Sequence, residues 1–173
     1  SFKYFSNNIP FYGFSIINID NENIVSIVKD INRPVIKYGI YNKGDYNAKN
    51  IKYLKNTTNF DLYIKNKKIE NIDLSIPGEH NVYNSLCAIS VCFELGVTLK
   101  LIKEALKFFD GVKRRFDIKF ENKDYIYIDD YAHHPTEIEV TLNAIKTGWV
   151  DKKITTIFQP HLYSRTKEFY KDF

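Results

Sequence analysis

The stretch YIYIDDYAHHPTEIEV, residues 125–140, decides the fold. YIYI reads as a buried strand, closed by Asp129 and Asp130. Pro135 suits a first helical turn, where its missing N–H would be unpaired in any case. Glu137 in that turn is favoured by the positive end of the helix dipole. Ile138, Leu142 and Ile145 then share one helical face. Strand, charged turn and helix together predict an α/β unit. In open α/β sheets ligands sit beyond the carboxyl ends of strands, and Asp130, His133 and His134 occupy such an end.

Working outward, FDIKF (116–120) alternates strictly, and Asn122-Lys123 reads as a turn. Downstream, KITTIF (153–158) reads as a strand, with a last helix from near Ser164. This β-β-α-β-α order opens one unit, and a different order precedes it. GFSIINID and PVIKYGI read as strands flanking a helix, NENIVSIVKDI, with apolar Ile24, Val25, Ile27, Val28 and Ile31. Alternation over residues 46–76, broken by Asn-rich turns, predicts an antiparallel β excursion. After Pro77-Gly78 a helix carries Val82, Leu86, Ile89 and Phe93 on one face and ends at Gly96. Thr98 is placed to cap the next helix, lined by Leu99, Ile102, Leu106 and Phe109 and stopped by Asp110-Gly111. A boundary between two units is expected near Gly111–Lys113.

The 173 residues are 44% hydrophobic and 27% charged, which fits a packed core rather than disorder. No apolar run approaches the roughly 18 residues of a membrane span, so no membrane insertion is expected and the cytoplasm is the default location. The net charge of +4 suits phosphate-bearing ligands, and its spread along the chain argues against nucleic acid. Cys87 and Cys92, five apart on one helix, lie beyond disulfide reach and read as free thiols. Methionine is absent even at position 1, and a helical pattern is still running at KDF, so the sequence reads as part of a longer protein.

Four motifs carry chemistry. In PGEHNVYN (77–84), Asn81 and Asn84 share a helix face, where their amides either satisfy a base edge or cap the helix. GVKRRF (111–116) sets three cations between two units, either as a phosphate clamp or as a solvated run. In IDDYAHHPTE (128–137), adjacent histidines on an extended segment point apart and cannot readily chelate one ion, and no zinc-type spacing occurs, so no metal site is expected. FQPHLYSRT (158–166) brings His161 and Arg165 to a second strand end.

Taken in order, these four motifs resemble the Mur ligase family. The resemblance implies an α/β fold: the end of a central P-loop-type ATPase domain (1–112), then the start of a Rossmann-like C-terminal domain (113–173). The family's alanine-adding branch is the nearest match. It implies ATP-driven joining of L-alanine to UDP-N-acetylmuramate through an acyl phosphate, for peptidoglycan. Its nucleotide positions fall on His80, Asn81 and Asn84 (adenine side), Arg115 (phosphate) and Asp130 (ribose). Its substrate-facing positions fall on Tyr131, His133, His161 and Arg165. His134 is a weaker match, assigned to the start of the helix. Many relatives place arginine directly after the Pro-His pair, where this chain has Leu162. No Gly-Lys-Ser/Thr loop occurs here, and the family's magnesium ligands are expected mainly upstream, so the chain alone is expected to be inactive.

Three alternatives stand beside this reading. One is the superfamily's recycling ligase, which attaches a whole peptide to the muramate. Another is a metal-dependent hydrolase built on the Asp/His cluster. The third is a nucleotide-binding module without catalysis.

Overall fold

In the computed structural model, which describes residues 2–173, a five-stranded sheet precedes a two-stranded ribbon. The sheet contains β1 (Ser15–Asn18), β2 (Val35–Gly39), β3 (Tyr46–Tyr53), β4 (Thr58–Ile64) and β5 (Lys67–Leu74), in that spatial order. β1, β2 and β3 run parallel, β4 pairs antiparallel with β3, and β5 pairs antiparallel with β4. Lys65 and Asn66, both at positive φ, form the two-residue turn joining β4 to β5. A short helix α1 (Phe2–Asn7), which periodicity does not reveal, is tied to the following unit through Asn7 and the Asp30–Asn32 backbone. Helix α2 (Glu22–Val28) crosses from β1 to β2, capped by the Asn21 side chain, and ends before Ile31.

Alternation on β3–β5 sends Tyr46, Ala48, Phe60, Leu62, Ile72 and Leu74 to one face. Helix α3 (Glu79–Glu94) covers that face with Val82, Leu86 and Ile89, and α4 (Leu99–Phe108) adds Ile102. Two expectations at the margin of this core need correcting. Phe93 is 39% exposed, its ring edge-on to Tyr46, and Phe109 lies past the end of α4 at 43% exposure. Thr98 holds the N-cap position of α4, but its side chain makes no capping hydrogen bond.

Residues 109–116 lead to the ribbon, β6 (Asp117–Glu121) and β7 (Ile126–Asp129), which pair antiparallel. Helix α5 (Pro135–Gly148) and a short α6 (Tyr163–Phe169) follow. β7 is not buried: Tyr127 is 60% exposed. KITTIF forms no strand, and Ile157 is almost fully exposed. Both departures have one cause. A strand persists only where a neighbour completes its ladder, and among the described residues β7 pairs with β6 alone while 153–158 pairs with nothing.

The loop after β3 touches the second unit. Lys55 and Asn56 reach Glu121 at 3.6 and 3.4 Å, and a Cβ on Gly148 would lie 3.1 Å from the Lys55 carbonyl oxygen. Cys87 and Cys92 are free thiols.

Candidate functional site

A cavity of about 850 Å³ opens between α3–α4 on one side and the 111–116 turn, Asp130 and α5 on the other. His80, Asn81, Asn84, Arg115 and Asp130 all line it. Its apolar walls include Ile102, Leu106, Phe109, Val112 and Val140. A concave, largely apolar space with a few convergent polar groups is what a small-molecule site requires.

The α3 side is built on Gly78, the buried N-cap residue at φ +100, a conformation suited to glycine. A Cβ there would lie 2.8 and 2.9 Å from Cε1 and Nδ1 of His80, so the ring packs directly on the glycine backbone. His80 Nδ1 is buried with no hydrogen-bond partner. Burial holds the imidazole below its ordinary pKa; the Arg115 charge adds to this and Asp130 opposes it, so the ring is neutral at neutral pH. Asn81 donates to the Pro77 carbonyl at 2.7 Å, and Asn84 donates to Asn81 Oδ1 at 3.4 Å. Neither amide caps the helix N–H groups, which removes the capping reading and leaves the pair facing the cavity.

The opposite wall is a strained turn. Arg115 N–H donates to the Val112 carbonyl, while Arg114 and Phe116 on either side take φ of 60° and 50°. Phe116 stacks on the buried Trp149 at 6.1 Å, which fixes the base of the turn. The Arg115 guanidinium lies 3.7 Å from Glu137 and is half-exposed. Asp130 has more work than a ligand residue needs. Its Oδ2 accepts from Phe116 N–H and Thr141 Oγ1, both at 3.0 Å, and its Oδ1 accepts from Ala132 N–H at 2.7 Å. A carboxylate offers about four acceptor positions, so one remains.

Three of the other predicted residues, Tyr131, His133 and His161, gather on an adjoining rim. The Tyr131 ring lies 5.0 Å from that of His133 and 6.4 Å from that of His161, and His133 and His161 are 6.4 Å apart. Arg114 sits over the Tyr131 face at 4.8 Å. His161 therefore reaches the rim although no strand delivers it. Arg165, on α6, has a buried Nη1 without a partner. Leu162 precedes α6 at φ 69. His134 does not join the rim: its ring nitrogen accepts from Thr136 N–H at 3.3 Å as the N-cap of α5, and its ring packs edge-to-face with Phe169 at 4.6 Å. His133 Nδ1 is 2.8 Å from the Tyr131 carbonyl oxygen, so the two histidines are committed to different partners. Among the described residues no three His, Cys, Asp or Glu side chains come together as a metal-binding group.

Sequence reasoning missed Thr141 and undervalued Glu137. Both line the cavity, and their i,i+4 spacing on α5 was the available signal that they share a face.

A parallel-to-antiparallel sheet covered by α3 and α4, joined through a cavity-lining turn to a second unit of ribbon and helices, defines a two-part α/β protein with a cavity at the junction. The Mur ligase middle domain model matches residues 1–92, and the Mur ligase, glutamate ligase domain model matches residues 114–173. The chain belongs to the Mur ligase family. It is 46% identical, over 96% of its length, to a UDP-N-acetylmuramate–L-alanine ligase of Endomicrobium trichonymphae, and 40% identical over its whole length to one of Salinibacter ruber. It spans 37% and 36% of those proteins. Among solved structures it resembles the UDP-N-acetylmuramate–alanine ligase of Thermotoga maritima (TM-score 0.73, 29% identity, 96% of this chain and 45% of that one). It also resembles a murein peptide ligase of Psychrobacter arcticus (TM-score 0.64, 25% identity, 94% of this chain and 36% of that one). No helix of the described residues is long and apolar enough to cross a membrane.

Proposed function

We propose that this chain supplies the nucleotide pocket and the amino-acid-facing rim of a cytoplasmic ligase that joins L-alanine to UDP-N-acetylmuramate at the expense of ATP. Residues 1–112 belong to its ATPase domain and 113–173 to its C-terminal domain. The observation that carries the reading is one cavity lined by His80, Asn81, Asn84, Arg115 and Asp130. Asn81 and Asn84 present amide donors and acceptors to a base edge, and neutral His80 closes that end. Arg115 offers a planar fork to phosphate, and the open acceptor position of Asp130 takes a ribose hydroxyl.

In the reaction the muramate carboxylate attacks the γ-phosphate, releasing ADP and forming an acyl phosphate. The alanine amine then attacks the acyl carbon, and phosphate leaves as the amide forms and the amine gives up its proton. Such chemistry depends on alignment and on neutralising phosphate charge. Tyr131, His133 and His161 border the space for the amine, and the unpartnered Nη1 of Arg165 suits the alanine carboxylate. The described residues gather no ligand set for the Mg²⁺ that accompanies ATP in this family, and none of the chemistry assigned to this chain runs through that ion.

The names of the curated relatives favour L-alanine over the whole peptide as the added group. Ligation by the full-length protein, with L-alanine and a stem peptide compared as acceptors, tests this. Turnover with peptide but not alanine would refute it. Titration with ADP tests the pocket directly. Trp149, the one tryptophan, is buried against Phe116 one residue from Arg115, so its fluorescence should change on binding.

A further inference from the structure

Glu137 lines the cavity, yet it carries the same sign of charge as the phosphates assigned to that space. Its two oxygens have separate partners. Oε2 accepts from His133 N–H at 3.0 Å and His134 N–H at 3.3 Å, and lies 3.5 Å from His133 Nδ1. Oε1 faces the Arg115 guanidinium at 3.7 Å. Burial pushes this carboxyl up, but the His133 and His134 N–H groups and the His133 and Arg115 charges together hold it below the ordinary range.

We propose that Glu137 is a positioning residue: it serves as the resident counter-ion of Arg115, gives way to a nucleotide phosphate, and transmits that displacement to His133. The inference rests on the phosphate role given to Arg115. The ion pair suits a part meant to be displaced, since its side chains are 54% and 34% exposed and exposed pairs shift equilibria by no more than about fivefold. A phosphate can accept two parallel hydrogen bonds from the same guanidinium and so displaces a single long contact. Oε1 is then free, while Oε2 stays tethered to the backbone of the histidine pair. His133 Nδ1 now engages the Tyr131 carbonyl at 2.8 Å with the tethered Oε2 3.5 Å away, and once Arg115 no longer draws on the carboxylate, its charge strengthens Oε2 as the competing acceptor. Phosphate arrival at the turn thus reorients the imidazole on the rim, with no change of fold.

The test is Glu137→Gln in the full-length protein, because the amide oxygen can still accept from the His133 and His134 N–H groups. ADP should bind the variant about two- to fivefold more tightly, since no carboxylate competes for Arg115. In an Arg115→Ala background the same substitution should leave ADP affinity unchanged. ADP should shift the His133 ring nitrogen resonances in the parent chain but not in Glu137→Gln. Should the glutamine variant fail to fold, Glu137→Asp keeps the charge but is too short to serve both partners, and it should tighten ADP binding in the same way. Equal or weaker binding by the folded variant, or the same gain without Arg115, would overturn the role given to Glu137. Failure of the unaltered chain to bind ADP would instead overturn the nucleotide reading, and this inference with it.

Discussion

Asp130→Asn tests whether one carboxylate both builds the site and serves it. From the sequence, Asp130 reads as a ligand residue whose amide variant should spare the fold. Its three hydrogen bonds revise that expectation. An asparagine oxygen at the Oδ2 position keeps the Phe116 N–H and the Thr141 hydroxyl, but sets an amide donor against the Ala132 N–H at 2.7 Å. The flipped amide restores Ala132 and strands Phe116 N–H. Either way one part-buried N–H loses its acceptor, at a cost of about 1–3 kcal/mol. For a chain of this size that lowers the melting temperature by roughly 2–12 °C. The ribose would meet a neutral acceptor instead of a charged one, which weakens nucleotide affinity by roughly tenfold or more. Thr141→Val is the control, because it removes one hydroxyl and leaves both backbone bonds in place. Thermal melts by circular dichroism and ADP titration read the two effects separately. An Asp130→Asn chain that melts within a degree of the parent would refute the structural half of the argument. Unaltered ADP affinity would refute the ligand half.

Three further outcomes are expected. Gly78→Ala forces a side chain into φ +100 and onto the His80 ring, costing about 1–3 kcal/mol for the backbone alone, so the melting temperature and ADP affinity should fall together. Asp20 accepts from the N–H groups of Ile40, Tyr41 and Asn42 and from the Tyr83 hydroxyl; burial raises its pKa, but these bonds together hold it below the ordinary 3.8. Its contribution is therefore full above about pH 4 and lost as pH falls through the lower folded value, and melts from pH 7 to pH 2 should show Asp20→Asn losing less stability on acidification than the parent. Arg165→Lys in the full-length protein keeps the charge but loses the planar fork, and should lower ligation turnover by roughly 100-fold or more in steady-state kinetics while leaving the ATP requirement unchanged.

Much of the fold was legible because its signals are local. The alternation of Leu62, Ile72 and Leu74 and the i, i+4, i+7 spacing of Val82, Leu86 and Ile89 each describe a face, and those faces meet in the core. Pro135 and Glu137 likewise mark a helix start that the backbone adopts. What failed depended on partners. A sequence cannot state whether KITTIF has a strand beside it, or whether β7 has both faces covered. Within the site, the four motifs and the family they resemble were enough to choose five side chains that line one cavity. They could not disclose that Asp130 spends three hydrogen bonds on its own surroundings, nor that Glu137 divides its oxygens between two segments. Such roles are set by angles between elements far apart in sequence.

Backbone conformation adds a criterion that no motif contains. Among the described residues, six other than glycine adopt positive φ. Asn50, Lys65 and Asn66 lie on the strands and turn of the sheet, where a bulge or a two-residue hairpin accounts for them. Arg114, Phe116 and Leu162 have no such excuse, since residues of these types seldom take that region. Arg114 and Phe116 flank Arg115, and Leu162 follows His161. Strain of about 1–3 kcal/mol at each position persists only where the surroundings over-determine it. At the turn those surroundings are identifiable: the Phe116–Trp149 stack, Asp130 on the Phe116 N–H, and the Arg114 carbonyl accepting from Tyr131 N–H. Tyr131 stands on the rim, so the bond that helps hold Arg115 in its strained turn also joins the cavity to the rim.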